Sequence, residues 1–497
     1  MSRVCFVLLL AMLASPALAQ TVEVESSSVE AASIETTVET AETPSAESPA
    51  VETAVAPSVG ASNTPEPSPS AAPLEAPAVE TTVAPSAPGG PQTPPGALRL
   101  GDVMLRPLVQ ARFRYEDRTG TYGNGVEVDD QRFVTTRIRL GLAAEWSLVR
   151  AVVQIQDARS FGSFPGVDDP TSFGLHQGFL ELGNDDVSVR VGRQEIDWGG
   201  QRMLGALDWT MNARSFDAVR VLGRAGGVEL EAFGAMLRPK RAFASVQGED
   251  TTMVAAEGDY LAGARLAWAP IEGLRLEPYV LYRHDGPIDE APTRSRDIVS
   301  PGLLGTLRVG TFFANVEAVL QTGDANGTRH FAYGLAGDAG ASVGSTVATT
   351  LSAGGSIGSG ASDDGDVDEL ENFFPTNHKF YGYADLFGLR NVVEGHVDAR
   401  LRPADLPFDV QLAAFWFGLQ EANARWSNAG GATLGQSDAP GSRSLGGELD
   451  VVVAYRPWPG VGLAAGYSVF VPAAGAKRLG HDDPTHWAFL MLTAQTP

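Results

Sequence analysis

Residues 136–146 read T-R-I-R-L-G-L-A-A-E-W, and residues 149–156 read V-R-A-V-V-Q-I-Q. An extended chain sends successive side chains to opposite faces. Ile138, Leu140, Leu142 and Trp146 therefore share one face, and Arg137, Arg139 and Glu145 share the other. In the second run Val149, Ala151, Val153 and Ile155 oppose Arg150, Gln154 and Gln156. The pattern recurs: Val109, Ala111, Phe113 and Tyr115 oppose Gln110, Arg112 and Arg114, while Val187, Val189 and Val191 oppose Ser188, Arg190 and Gln194. Further on, Leu276, Val280 and Tyr282 oppose Arg275, Glu277 and Arg283, and Val397, Ala399 and Leu401 oppose Glu394, His396, Asp398 and Arg400. Helical periodicity is hard to find, and glycine is abundant throughout.

A soluble β-sandwich also alternates, but its strands commonly run about 5–6 residues. Many runs here reach the roughly 9–11 residues that a tilted transmembrane strand requires. Tyr115, Trp146, Trp268, Tyr282, Trp416, Tyr455, Trp458 and Trp487 sit near strand ends, where interfacial girdles belong. A secreted β-helix or propeller is the remaining alternative, and no repeat of about 20–50 residues supports it. The pattern predicts an all-β, antiparallel transmembrane barrel over residues 98–497. Tight connections at 269–273 and 456–460 are expected as periplasmic turns. The longer polar ones at 120–131, 157–174, 239–259 and 423–443 are expected as extracellular loops or pore-covering segments.

Residues 1–19 read as a secretory signal peptide: Arg3, an apolar core from Val4 to Leu13, and the small-x-small site Ala17-Leu18-Ala19. The single cysteine, Cys5, falls inside it, so the mature chain has no disulfide or thiol chemistry. Residues 20–97 are built almost entirely from Ala, Glu, Thr, Val, Ser and Pro, with no Lys or Arg between Arg3 and Arg99. Such a stretch cannot build a core and is expected as a disordered, acidic periplasmic tether, with a root-mean-square span of roughly 50 Å. It serves as a spacer or as an arm for a partner.

The net charge of −24 argues at first against an anionic ligand, but 11 of the 60 acids lie in the tether. In the body, arginines recur on the faces that would point inward. Arginine stays charged and forks two N–H donors onto a carboxylate. Inward Arg112, Arg114, Arg137, Arg139 and Arg190 are thus candidate contacts for a polyanion, with Glu145 and Glu277 as supporting acids. Each of these arginines could equally belong to a structural charge ladder inside a water-filled barrel. The run Asp364-x-Asp366-x-Asp368 lacks the glycine and distal glutamate of a Ca²⁺ loop and reads as a solvated acidic loop. Neither a metal site, a cofactor, a hydrolase motif nor a nucleic-acid patch is expected.

Residues 192–205, G-R-Q-E-I-D-W-G-G-Q-R-M-L-G, and 208–221, D-W-T-M-N-A-R-S-F-D-A-V-R-V, resemble the signature region of the bacterial alginate export family. Residues 373–387, F-F-P-T-N-H-K-F-Y-G-Y-A-D-L-F, resemble a block that precedes a late strand in that family. More weakly, residues 446–455 and 466–472 resemble its final hairpins. The resemblance implies an 18-stranded barrel with a polar, Arg-rich lumen that exports alginate. It implies polysaccharide contacts at Arg193, Arg202, Arg214, Asp217 and Arg220, with Asp197 as a partner, whereas Gly192, Gly199, Gly200 and Phe216 fix turns and packing. Three departures stand out: the acidic tether, the Gly/Ser/Ala-rich stretch 337–366, where a strand pair or a plug is in question, and a C-terminus without an aromatic.

The sequence thus predicts a monomeric outer-membrane pore, in contact with membrane lipid and served by periplasmic export components. Its cargo would be an anionic polysaccharide, alginate or another polyuronate, moved passively without an enzymatic step. The alternatives are an anion-selective or general porin for small solutes and, with no candidate residues, an outer-membrane enzyme.

Overall fold

The structure is a computed structural model that describes residues 96–123, 126–128, 130–162, 171–238, 241–247, 250–256, 258–287, 295–436 and 441–496. The signal peptide, and the tether up to residue 95, lie outside the described residues. Eighteen antiparallel strands form one closed barrel. They are β1 (Val103–Thr119), β2 (Gln131–Trp146), β3 (Val149–Gly162), β4 (Thr171–Gly183), β5 (Val187–Gln194) and β6 (Phe216–Ala225); β7 (Val228–Arg238), β8 (Asp259–Ile271), β9 (Leu274–Asp285), β10 (Arg296–Val309), β11 (Phe312–Ala325) and β12 (Thr328–Val343); and β13 (Val347–Gly358), β14 (Val392–Pro403), β15 (Phe408–Gly418), β16 (Ser444–Trp458), β17 (Val461–Pro472) and β18 (Thr485–Gln495). Each strand pairs with its sequence neighbours, and β1 pairs with β18 from Gln110↔Gln495 to Thr119↔His486, which closes the sheet. Leu98–Leu100 folds back onto Val103–Leu105 at the rim.

The alternation sorts side chains as the sequence predicts. Between β2 and β3, Leu140 pairs with Ile155 and Leu142 with Val153, all four exposed on the outer face. Arg137, Arg139, Gln154 and Gln156 are buried on the inner face. An exposed apolar belt of this extent is unfavourable in water and favourable against lipid. Among the described residues no helix is long and apolar enough to cross a membrane.

All connections at one end are short. At 226–227 both glycines adopt positive φ, 58° and 80°, as a two-residue hairpin turn of matching twist requires. Trp146, Trp268 and Trp458 lie exposed near this end, and Tyr115, Tyr282 and Trp416 near the other, so two girdles flank the apolar belt. Trp487 departs from the expectation. It points inward, 1% exposed, and its indole donates to Glu116 at 2.8 Å. Short turns face the periplasm in barrels of this kind, and the first described residues join β1 at that end.

The long connections do more than cap the barrel. The stretch 337–366 supplies an unbroken β12–β13 hairpin, paired from Gly334↔Gly358 to Val343↔Thr349, and residues 372–389 then run buried among the barrel's inward side chains. They meet the connection 195–215 in a parallel bridge, Leu204↔Phe374. Gly205 N–H donates to Phe374 O at 2.8 Å, and Thr376 N–H to Gln201 O at 2.9 Å. Phe387 stacks on Phe417 of β15 at 3.7 Å and on Trp426, which also lies against Phe470 of β17. The lumen therefore encloses an apolar core containing Ile196, Leu204, Phe380, Tyr381 and Phe387, beside the polar, Arg-rich surface that the resemblance implied. Each such side chain contributes about 1.5–3 kcal/mol on full burial.

Because Leu303 faces lipid in the middle of β10, Leu303→Arg should cost about 2–4 kcal/mol. Thr306→Arg, on the inner face of the same strand, should cost far less. Urea titration of refolding into vesicles measures both.

Candidate functional site

A cavity of about 920 Å³ is walled by inner faces of β6 to β12 and reaches the short-turn rim at Glu272 and Gly273. Its inner end is formed by Asp197, Gly199, Gly200, Arg202, Lys379 and Phe380, all from the inward connections. Inward positions two apart on one strand face the same way, so the wall carries a continuous ion-pair chain. Arg224 contacts Glu229 at 2.8 Å, Glu229 contacts Arg275 at 2.8 Å, and Arg275 contacts Glu277 at 2.8 Å. Glu277 contacts Arg265 at 2.7 Å, Arg265 contacts Glu231 at 2.7 Å, and Glu231 contacts Arg220 at 2.7 Å. Seven basic and seven acidic side chains line this vestibule, so it is a charge-balanced surface and not a cationic sleeve. Along this chain each guanidinium already holds a carboxylate, which favours many weak contacts over one tight site.

The opposite wall, β1 to β3, is organised differently. Arg112 and Arg137 are direct cross-strand partners and Arg139 follows on the same face. Their anion comes from the connection 195–215. Asp208 contacts Arg137 at 2.9 Å through one carboxylate oxygen and Arg139 at 2.9 Å through the other. Arg112 donates to the carbonyls of Asp208, at 2.7 Å, and of Thr210. Asp208 is enclosed by the barrel yet 49% exposed to lumen water, while the Arg137 and Arg139 side chains beneath it are 2% and 3% exposed. Burial raises its carboxyl pKa, but Arg137, Arg139 and Arg112 overcome this and hold it well below the usual carboxylate range. Next along the connection, Trp209 stacks on His378 at 4.1 Å, with the Arg114 guanidinium 4.2 Å from its ring centre. Arg114 and Arg118 share the buried Glu116.

Of the remaining residues singled out in the sequence, Arg190 points inward onto Glu181 at 2.9 Å and stacks on Phe179. Glu145 sits between Arg106 and Arg150 near the short-turn rim. Glu277 and Arg220 belong to the vestibule chain. Arg202 lies at its inner end, 3.7 Å from the Phe380 ring centre and 3.3 Å from the Tyr381 hydroxyl. Arg214 anchors the carbonyls of Gly205 at 2.8 Å and Pro375 at 3.2 Å. Asp197 accepts from the Ala206 N–H at 2.5 Å and thereby closes its own loop.

Arg193 and Asp217 correct the lumen expectation. They share strand parity with outward Val191 and Val219, and pair with each other on the outer face at 2.5 Å. Arg193 alternates with the inward Arg190 and Gln194, so parity read strictly already excluded it from the lumen. Sequence reasoning passed over Asp208, Glu116, Arg265 and Lys379. Arg265 was legible from its inward parity in β8. Asp208 and Lys379 lie on connections, where no periodicity gives direction. In the acidic run Asp364 and Asp366 are exposed, as expected, while the adjoining Glu369 pairs with Arg425 at 2.6 Å and Arg390 at 3.4 Å.

Removing the charge from Glu116 leaves two guanidiniums without their shared carboxylate. Glu116→Gln should lower stability by about 3–5 kcal/mol, read from the urea midpoint in vesicles.

No curated protein matches the chain in sequence. Among solved structures, the fold is similar to OccK5 (OpdH) of Pseudomonas aeruginosa, with a TM-score of 0.52 and 12% identity over 79% of this chain and 98% of that one. It is similar to OccAB1 of Acinetobacter baumannii, at 0.52 and 11% over 79% and 96%, and to OccK7 (OpdD) of Pseudomonas aeruginosa, at 0.51 and 10% over 80% and 100%. These likenesses concern the fold. The family model for alginate export matches residues 108–482, a span covering most of the barrel with its vestibule and inward connections. With a closed 18-stranded wall around a charged lumen, the chain belongs to the alginate export family and is an outer-membrane pore.

Proposed function

We propose that this pore passively exports an acidic exopolysaccharide, alginate or another polyuronate, from the periplasm, with the segment 20–97 on the periplasmic side. The observation that carries this reading is the vestibule: it reaches the short-turn rim and ends on Arg202 and Lys379 of the inward connections. A polymer with one carboxylate per sugar can exchange with the wall's own glutamates, one guanidinium at a time. Because each vestibule arginine in the chain already holds a carboxylate, no contact is strong enough to trap the polymer, and conduction requires sites that bind weakly and in series. No bond is made or broken. Arg112, Arg114, Arg137, Arg139, Arg190, Arg202, Arg214 and Arg220 remain the proposed contacts or their supports, and Arg193 is set aside.

The second reading is a general porin for small solutes. What favours it is the equal number of acids and bases around the vestibule, which gives a wall with little preference for anions.

Refolded mature protein in a planar bilayer separates the two. Oligo-uronates added on the periplasmic side should block the current in a concentration-dependent, salt-sensitive way. Arg202→Ala should raise the half-blocking concentration about tenfold, equivalent to about 1.4 kcal/mol. A current indifferent to the oligomers would leave the porin reading in place.

A further inference from the structure

We infer that Asp208 is a built-in competitor for the cargo's carboxylates, occupying the Arg112–Arg137–Arg139 site until a uronate carboxylate takes its place. The inference rests on the polyuronate reading above.

Like charges directly opposite on neighbouring strands are destabilising, and Arg112 faces Arg137 across the β1–β2 ladder with Arg139 two positions on. The wall side chains bonded to this trio are neutral: Gln110 accepts from Arg137 at 2.9 Å and Gln156 from Arg139 at 2.9 Å. The wall is therefore an anion site by construction, and the bonded anion is a guest from the connection 195–215. Glu195, at the start of that connection, lies near Arg139 and Arg137, but burial and the carboxylates of Asp197 and Asp208 push its own carboxyl well above the usual range. Asp208 presents to these guanidiniums the same group that each uronate unit carries, and its outer side stays open to lumen water.

The turn that delivers the guest is itself strained. Leu207, the residue before Asp208, has φ +53°, and Ala213 has φ +58°, in a region that side-chain-bearing residues rarely occupy. Thr210 closes the turn by donating both its N–H and its hydroxyl to the Leu207 carbonyl, each at 3.1 Å. Such geometry persists where the surroundings over-determine it, and the arginine trio, which holds the Asp208 carboxylate and the Thr210 carbonyl, is among those surroundings. An arriving carboxylate can take the two guanidinium contacts while the turn relaxes into the lumen, and Asp208 rebinds when the polymer has passed.

The test uses the mature protein in planar bilayers with defined oligo-uronates on the periplasmic side, wild type beside Asp208→Asn. The neutral variant should lower the half-blocking concentration about tenfold and shift the reversal potential in a KCl gradient toward chloride. Adding Arg137→Gln should cancel both effects, and Asp208→Glu should stay close to wild type. Asp208→Ser gives the same readout if the asparagine variant does not refold. Block of wild type with equal or weaker block of the neutral variants would overturn the inference and leave the export reading intact. Absence of block in every variant would overturn the export reading, and the inference with it.

Discussion

The pairing of β1 with β18 is the constraint on which the rest depends. In lipid, an unpaired backbone N–H or C=O costs several kcal/mol, so the two end strands must meet, and the ladder from Gln110↔Gln495 to Thr119↔His486 satisfies that demand. Once the sheet is closed, strand parity leaves each side chain two destinations, lipid or lumen. Most strand leucines and the exposed tryptophans take the first, and most strand arginines, glutamines and glutamates the second, with Arg193 on the outer face as an exception. The charge pattern of the interior is thus a by-product of closure.

Two different uses of arginine follow inside that wall. Around the vestibule, wall glutamates alternate with wall arginines, and the surface neutralises itself. Across the lumen, Arg112, Arg137 and Arg139 stand together, bonded on the wall to the neutral Gln110 and Gln156, and draw their counter-charge from a loop. The first arrangement balances its charge within the wall, with Trp198 of the connection donating to Glu231; the second takes its counter-charge from a connection. That difference explains why the connection 195–215 is fixed at Asp208, Trp209 and Arg214, and why residues 372–389, which bond to it at Gly205 and Phe374, are buried with it.

The barrel was legible in the sequence because period-two alternation over long runs has few other physical causes, and every run quoted from it became a strand. The number of strands was not legible from periodicity. β5 is only 8 residues long, and Gly-rich β13 carries little hydrophobic contrast, so the count came from family resemblance. On the strands, inward arginines could be assigned by parity, and the assignment failed where parity was overruled by resemblance, at Arg193 and Asp217. Trp487 shows the limit of the girdle rule: it sits near a strand end but on the inward parity, and Glu116 gives its indole a partner there. The lumen filling was the least legible element. Its residues, such as Phe380, Tyr381 and Phe387, look like loop aromatics, and only the three-dimensional closure turns the inside of a pore into a place where an apolar core can form.

That internal core also changes what determines the bore. An empty barrel of 16–18 strands leaves an aqueous channel down its axis. Here stacked aromatics on Phe417 and Phe470 and the Leu204–Phe374 bridge fill part of the lumen, and a large cavity lies off to one side, against β6 to β12. That cavity is eccentric, with one wall of strands and one of packed loop. Its width follows from how the filling sits, so relatives with the same strand number and different inward connections would pass molecules of different girth.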